Sequence, residues 1–149
     1  MTFRVALIGY GYWGPKLARN INNSNNFKIK YIIDNSKKNL DKAKKDFPIA
    51  KLLKNYTSLK KNDIDLVVIS SPTKTHYKIA KHFLDFSHVL VEKPLSLNSK
   101  DIVELERKAK KNNKLLFVDY PFLFSGSINF IKTIIKNKKY GKLLEIESF

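Results

Sequence analysis

At 149 residues, with 43% hydrophobic and 12% aromatic side chains, the chain is one domain's length, can bury a core and is too apolar to be disordered. It has no Cys, which excludes disulfides and thiolate chemistry, and no apolar run nears the roughly 20 residues of a membrane span. The net charge of +16 invites nucleic-acid binding, yet 26 of the 29 basic residues are Lys, 14 Asn accompany them, and no nucleic-acid-reading motif is present, so the charge reads as a solvated surface.

The first strand is expected at residues 3–8. A strand that starts so early leaves no room for a cleavable signal, so a cytoplasmic location is expected. Gly9-Tyr10-Gly11-Tyr12-Trp13-Gly14 follows, and a helix opens at Pro15, which the first helical turn tolerates. Strand, glycine turn, helix is the setting in which G-x-G-x-x-G holds a pyrophosphate. Gly9 makes the turn, Gly11 lets the backbone approach the anion, and Gly14 lets helix and strand pack closely. Residues 22–26 are a polar loop. Strand two, residues 28–33, ends at Asp34, 20 residues beyond Gly14. An acid at that distance takes the ribose hydroxyls of an adenosine and repels a 2′-phosphate, which favours NAD over NADP. Lys37 and Lys38 lie close by and soften that preference. The plainer reading is a ligand-free turn and an Asp that caps the next helix.

A Lys-rich helix is expected over 36–46, stopped near Pro48. A short third strand is expected within 49–53. Thr57-Ser58 would cap one helical turn. Residues 65–70 form a buried strand that ends at Ser70-Ser71-Pro72-Thr73, and a helix follows over 75–86. Strand five, 88–91, ends at Glu92-Lys93-Pro94. A helix capped by Asn98 or Ser99 runs to 113. Strand six, 115–118, ends at Asp119-Tyr120. A last helix covers 128–138, and 142–149 reads as the start of another strand.

Strands alternating with helices imply an α/β fold, a Rossmann-type doubly wound parallel sheet in three αβα layers. In such sheets ligands sit beyond the carboxyl ends of the strands. The unusual polar residues collect there. The three His, at 76, 82 and 88, show no metal-ligating pattern, and no metal is expected.

With these residues in view, the chain resembles the Gfo/Idh/MocA family of NAD(P)-dependent oxidoreductases. The motifs are Gly-Tyr-Gly-Tyr-Trp-Gly-Pro (9–15), Asp34, Ser-Pro-Thr-Lys-Thr-His-Tyr (71–77) and Glu-Lys-Pro-Leu-Ser (92–96). The Trp13-Gly14-Pro15 variant, with 118–124, looks most like members acting on nucleotide-linked sugars. The resemblance implies a cofactor site of Gly9, Gly11, Tyr12, Trp13, Gly14, Asp34 and Asn35. It adds Ser70, Ser71, Pro72, Thr73, Thr75 and His76, and then Glu92, Lys93 and Pro94. NAD is the expected cofactor, with NADP as the variant. A sugar or sugar nucleotide is the expected substrate, and Lys93 the catalytic residue near its hydroxyl. Residues 1–142 would be the dinucleotide-binding domain. Residues 143–149 would open the family's second, sheet-rich domain, otherwise absent, so the chain would be a truncated half that works as a homo-oligomer or with the missing domain.

Alternatives stand beside several assignments. Lys93 is either the catalytic lysine or one solvated lysine among many. Glu92 holds the local backbone or a cofactor ribose. Pro94 is cis or trans. His76 reaches the nicotinamide or is a satisfied structural histidine. Trp13 covers the cofactor or packs in the core. Tyr120 sees substrate or merely packs. Whole-chain alternatives are a stand-alone dinucleotide-binding module without turnover and a basic nucleic-acid-binding domain on the same scaffold.

Overall fold

The computed structural model describes residues 2–138 and 140–147. Six parallel strands form one sheet: β1 (Phe3–Ile8), β2 (Phe27–Ile33), β3 (Lys51–Leu53), β4 (Leu66–Ile69), β5 (His88–Glu92) and β6 (Leu116–Asp119). Their order is β3-β2-β1-β4-β5-β6. Helices α1 (Gly14–Asn22), α2 (Lys37–Asp46), α3 (His76–Phe83) and α4 (Ser99–Lys111) make the crossovers.

The period of two along β1 explains the layers. Val5 and Leu7 pack in one cluster with Ala18 of α1 and Ala43 of α2. Ala6 and Ile8 pack in the other with Ile79, Ala80 and Phe83 of α3 and Leu105 and Ala109 of α4. The chain therefore winds one way from β1 and the other way from β4. The switch point lies between those two strands, where such sheets open a crevice. Each fully buried Val, Leu, Ile or Phe contributes about 1.5–3 kcal/mol of transfer free energy. Phe83, at 0% exposure, is among the largest buried side chains.

Arg4 staples the middle of the sheet. Its backbone N–H and Nε donate to Asp65 Oδ2 at 2.8 and 2.9 Å, and its Nη2 donates to Oδ1 at 2.8 Å. The guanidinium beside it holds the Asp65 carboxyl down at about 2.

Residues up to Asp119 form one compact unit and those from Tyr120 a second. The second holds a 3-10 turn, Pro121–Phe124, and helix α5 (Gly126–Lys136).

Several local expectations are corrected. The turn near residue 57 is Tyr56–Ser58, capped by Asn55, whose side chain accepts from the Thr57 N–H at 3.0 Å. Asx side chains reach two residues forward easily, and Asn55 sits at that offset. The helix expected over 75–86 opens as a 3-10 turn, Thr73–Thr75, and α3 ends at Phe83. The last apolar residues, Leu84 and Phe86, belong to the turn that leads into β5. Strand three spans only Lys51–Leu53. Residues 142–147 form no strand, and the rest of that expected segment lies outside the described residues.

Candidate functional site

The glycine turn sits at the carboxyl end of β1. Gly9 has φ of +95°, where a side chain is strained, and an added Cβ would lie 2.6 Å from the Ser71 nitrogen. A Cβ on Gly14 would collide with the Gly9 carbonyl oxygen. Gly11 differs, because nothing lies within 4 Å of where its Cβ would be. The turn is thus closed at both ends and open in the middle. Helix α1 starts there with no side chain capping it; Pro15 has no N–H and the Lys16 N–H donates to the Trp13 carbonyl oxygen at 3.0 Å, so the helix brings the positive end of its dipole, rather than a row of free N–H groups, to the opening. That is the cradle a dinucleotide pyrophosphate fits.

Asp34, at the end of β2, is tied to this turn. Its Oδ2 accepts from the Tyr10 N–H at 2.7 Å and from Asn39 Nδ2 at 3.1 Å, and its Oδ1 accepts from the Ser36 N–H at 2.8 Å. Asp34 thus does not cap α2; its carboxylate ties the end of β2 to the glycine turn and to the residues that open the helix. Asn35 beside it is exposed. The cap of α2 is Ser36, whose hydroxyl accepts from the Asn39 N–H.

A cleft of about 430 Å³ runs from Gly9 and Asp34 to Ser71, Pro72 and Thr75. Its far wall includes Asn55 and Tyr56, which the sequence reading did not nominate. The signal was available: they follow β3, on the same sheet edge as every nominated residue. Ser70 Oγ donates to the Gly9 carbonyl at 2.8 Å and fastens the β4 loop to the turn. Ser71 Oγ and Thr75 Oγ1 stand 2.7 Å apart, and Thr75 also donates to the Pro72 carbonyl. Thr73 starts the short 3-10 turn of this loop.

His76 is buried, at 1% exposure. Its Nε2 lies 2.7 Å from the Ser71 carbonyl oxygen and its Nδ1 2.9 Å from that of Pro94. Both ring nitrogens face backbone oxygens, so the side chain braces two loops against each other. The Lys93–Pro94 peptide is cis. Lys93 and Pro94 are exposed on this edge, and Leu95 is buried beneath them. Glu92 pairs in register with Asp119 of β6. Burial, then the neighbouring Asp119 charge, pushes the Glu92 carboxyl up, against the Lys93 N–H and ammonium.

Tyr12 and Trp13 do not pack in the core: they are 75% and 50% exposed. Their rings meet edge to face, with Lys16 Nζ 3.8 Å from the Tyr12 centroid and 4.2 Å from that of Trp13. The Lys16 ammonium lowers the Tyr12 hydroxyl below its ordinary value. Tyr120 opens the second unit and is half exposed. Among the described residues no three His, Asp or Glu are grouped to hold a metal, and no helix is long and apolar enough to cross a membrane.

The family model described as "Oxidoreductase family, NAD-binding Rossmann fold" matches residues 3–120. The chain belongs to the Gfo/Idh/MocA family. Members of this Gfo/Idh/MocA family are NAD(P)-dependent oxidoreductases, and the matched part is their NAD-binding Rossmann domain. Among curated relatives, a 1-carboxy-3-chloro-3,4-dihydroxycyclohexa-1,5-diene dehydrogenase of Comamonas testosteroni is 33% identical over 73% of this chain and 28% of its own. A myo-inositol 2-dehydrogenase of Thermotoga maritima is 27% identical over 93% of this chain and 42% of its own. Among solved structures, a scyllo-inositol dehydrogenase from Lactobacillus casei with bound NAD(H) and scyllo-inositol superposes with a TM-score of 0.87. It covers 95% of this chain and 43% of that one at 24% identity, which shows the fold. The chain spans less than half the length of each of these relatives.

Proposed function

We propose that residues 1–142 are the nicotinamide-dinucleotide-binding half of an oxidoreductase that moves hydride between NAD(P) and a hydroxyl of a sugar or sugar nucleotide, and that 143–149 lead into a substrate domain. One observation carries the reading. The open cradle at Gly11, the Asp34 carboxylate and Lys93 lie on one sheet edge, and Ser70, Ser71 and His76 cross-link the loops that bear them. The inositol dehydrogenases among the relatives make a polyhydroxylated ring the fitting substrate chemistry.

When bound, the nicotinamide accepts or returns the hydride of a carbinol carbon. The chain supplies the rest. The uncapped start of α1 and the Gly11 opening hold the pyrophosphate. Asp34 takes a ribose hydroxyl. We assign to Lys93 Nζ the proton of the substrate hydroxyl, which leaves as hydride departs from carbon. Tyr12 and Trp13 offer exposed ring faces beside the turn, the kind of surface that covers a cofactor or a sugar ring.

The test is nicotinamide reduction over a panel of polyols, sugars and sugar nucleotides. It is run on the 149-residue chain and on a chimera with a family member's substrate domain. Both should bind cofactor. The chimera should turn over, and Lys93→Ala should cut its kcat by at least about a hundredfold, the usual scale of general acid–base assistance. Turnover indifferent to Lys93→Ala would overturn the assignment.

A further inference from the structure

β5 and β6 end in acids that stand side by side. Glu92 and Asp119 are register partners in this parallel pair, each the last residue of its strand, and both are half-buried. Val91 and Val118, one residue earlier, belong with the cluster that α3 and α4 cover. Side chains alternate along a strand, so Glu92 and Asp119 both project from the opposite face of the sheet, as neighbours. Like charges opposed across two strands are destabilising. The chain has 29 basic and 13 acidic residues, yet among the described residues neither carboxylate joins an ion pair. A local arrangement that works against stability is expected where a site needs it.

The groups around Glu92 set the charge of the pair. Burial and the Asp119 charge push the Glu92 carboxyl up, while the Lys93 N–H, the Lys93 ammonium and the His76 ring pull the other way. The proton on Glu92 therefore persists to higher pH than on an ordinary glutamate, and the pair gains a negative charge as that proton leaves. In the proposed binding mode the glycine turn after β1 takes the pyrophosphate and Asp34 after β2 the adenosine ribose. The nicotinamide then lies across the switch point, toward the ends of β4, β5 and β6. Its ring is cationic in NAD⁺ and neutral in NADH. A carboxylate pair within a Debye length of about 8–10 Å distinguishes the two.

We infer that the Glu92–Asp119 pair selects the oxidised, cationic nicotinamide over the reduced, neutral one, and releases a proton when the cationic ring arrives. The inference rests on the dinucleotide-binding reading above. It makes Asp119 a positioning residue, whose charge keeps a proton on Glu92 until the cofactor displaces it. The proton passes to solvent, and no bond of the cofactor changes. The sign follows from the charges: the preference for NAD⁺ is weak while the proton is held and grows as pH rises through its loss.

Calorimetric titration of the full chain with NAD⁺, NADH and ADP-ribose tests it, from about pH 5 to about pH 7.5. Each titration is run in two buffers of different ionisation enthalpy, which reads the protons released. NAD⁺ should release a fraction of a proton, and NADH and ADP-ribose, which lack the cationic ring, clearly less. The NAD⁺-to-NADH affinity ratio should rise about threefold to tenfold across the range, the scale of one added charge at that distance in a part-solvated site. Asp119→Asn keeps the side chain's shape and removes the like charge, so both the proton release and the rise should be lost within that range. Glu92→Gln, which has no proton to give, should lose them as well. Equal proton release by NAD⁺ and ADP-ribose, or a pH-dependent ratio unchanged in Asp119→Asn, would overturn the inference and leave the dinucleotide reading standing. Binding of none of the three would overturn both.

Discussion

His76 Nδ1 lies 2.9 Å from the Pro94 carbonyl oxygen, and its Nε2 lies 2.7 Å from the Ser71 carbonyl oxygen. One buried ring thus fixes the separation of the loop after β4 and the loop that carries Lys93. Either neutral tautomer donates to one of the two carbonyls. Replacing His76 with Leu removes the donor and should cost about 1–3 kcal/mol in urea unfolding. His76→Asn keeps a donor and should recover part of that loss. In a catalytically complete enzyme His76→Leu should lower kcat more than it raises the cofactor Kd, since the loop it releases carries Lys93. The reverse split would show that the brace serves binding alone.

Gly11 and Gly14 should separate binding from folding. Gly11→Ala meets no atom within 4 Å. It should leave the melting temperature nearly unchanged while cofactor affinity falls at least tenfold, because the methyl group occupies the phosphate's place. Gly14→Ala drives a methyl into the Gly9 carbonyl and should destabilise the fold by several kcal/mol, in the manner of overpacked cores. Calorimetry with and without NAD reads both effects. A Gly11→Ala chain that binds NAD normally would remove the turn from the cofactor site.

The Arg4–Asp65 pair predicts a pH dependence. The Asp65 carboxyl is held at about 2 in the fold, below its ordinary 3.8. A depressed carboxylate contributes stability above its unfolded pKa and loses it as pH falls through the folded one. The contribution should therefore be complete above about pH 5 and fade from about pH 4 to about pH 1. The side chains are 39% and 32% exposed, so screening reduces it to about 1 kcal/mol. Asp65→Asn should be less stable than the parent by that amount at pH 7 and approach it only at about pH 1. A constant difference across this range would show that packing, not charge, accounts for the loss.

The positive charge is distributed, with Lys on each of the five α-helices among the described residues. DNA binding should accordingly be weak, indifferent to sequence and gone by roughly 200 mM salt. A filter-binding series against salt decides this. A complex with one preferred sequence that persists at 200 mM would assign the lysines a different role.

The strand ends were legible because each apolar run stops at a polar cluster, and the carboxyl-edge rule then gathers Gly9, Asp34, Ser71 and Lys93. The glycine turn was legible because its three glycines have separable steric reasons. What the sequence did not carry are contacts between backbone and distant side chains. Nothing in the spacing shows that Asp34 accepts from Tyr10, or that the ring of His76 ends on two carbonyls. Tyr10 stands between two glycines in the motif, where the sequence gives it no evident role; it is buried and its hydroxyl donates to Asp46 at 2.8 Å. The end of α3 was misread because the apolar pattern continues through Leu84 and Phe86 while the backbone turns. Periodicity reports which side chains are buried, and both helices and tight turns bury them.

The bond from the Tyr10 N–H to Asp34 also bears on protein engineering. A designer who wants to switch the cofactor reaches first for the acid after β2. Here that carboxylate also holds the glycine turn through the Tyr10 N–H, so under the proposed function changing it should loosen the phosphate cradle while retuning the ribose contact. The two traits are chained to one side chain, and a library at Asp34 should be dominated by variants that lose both nucleotides.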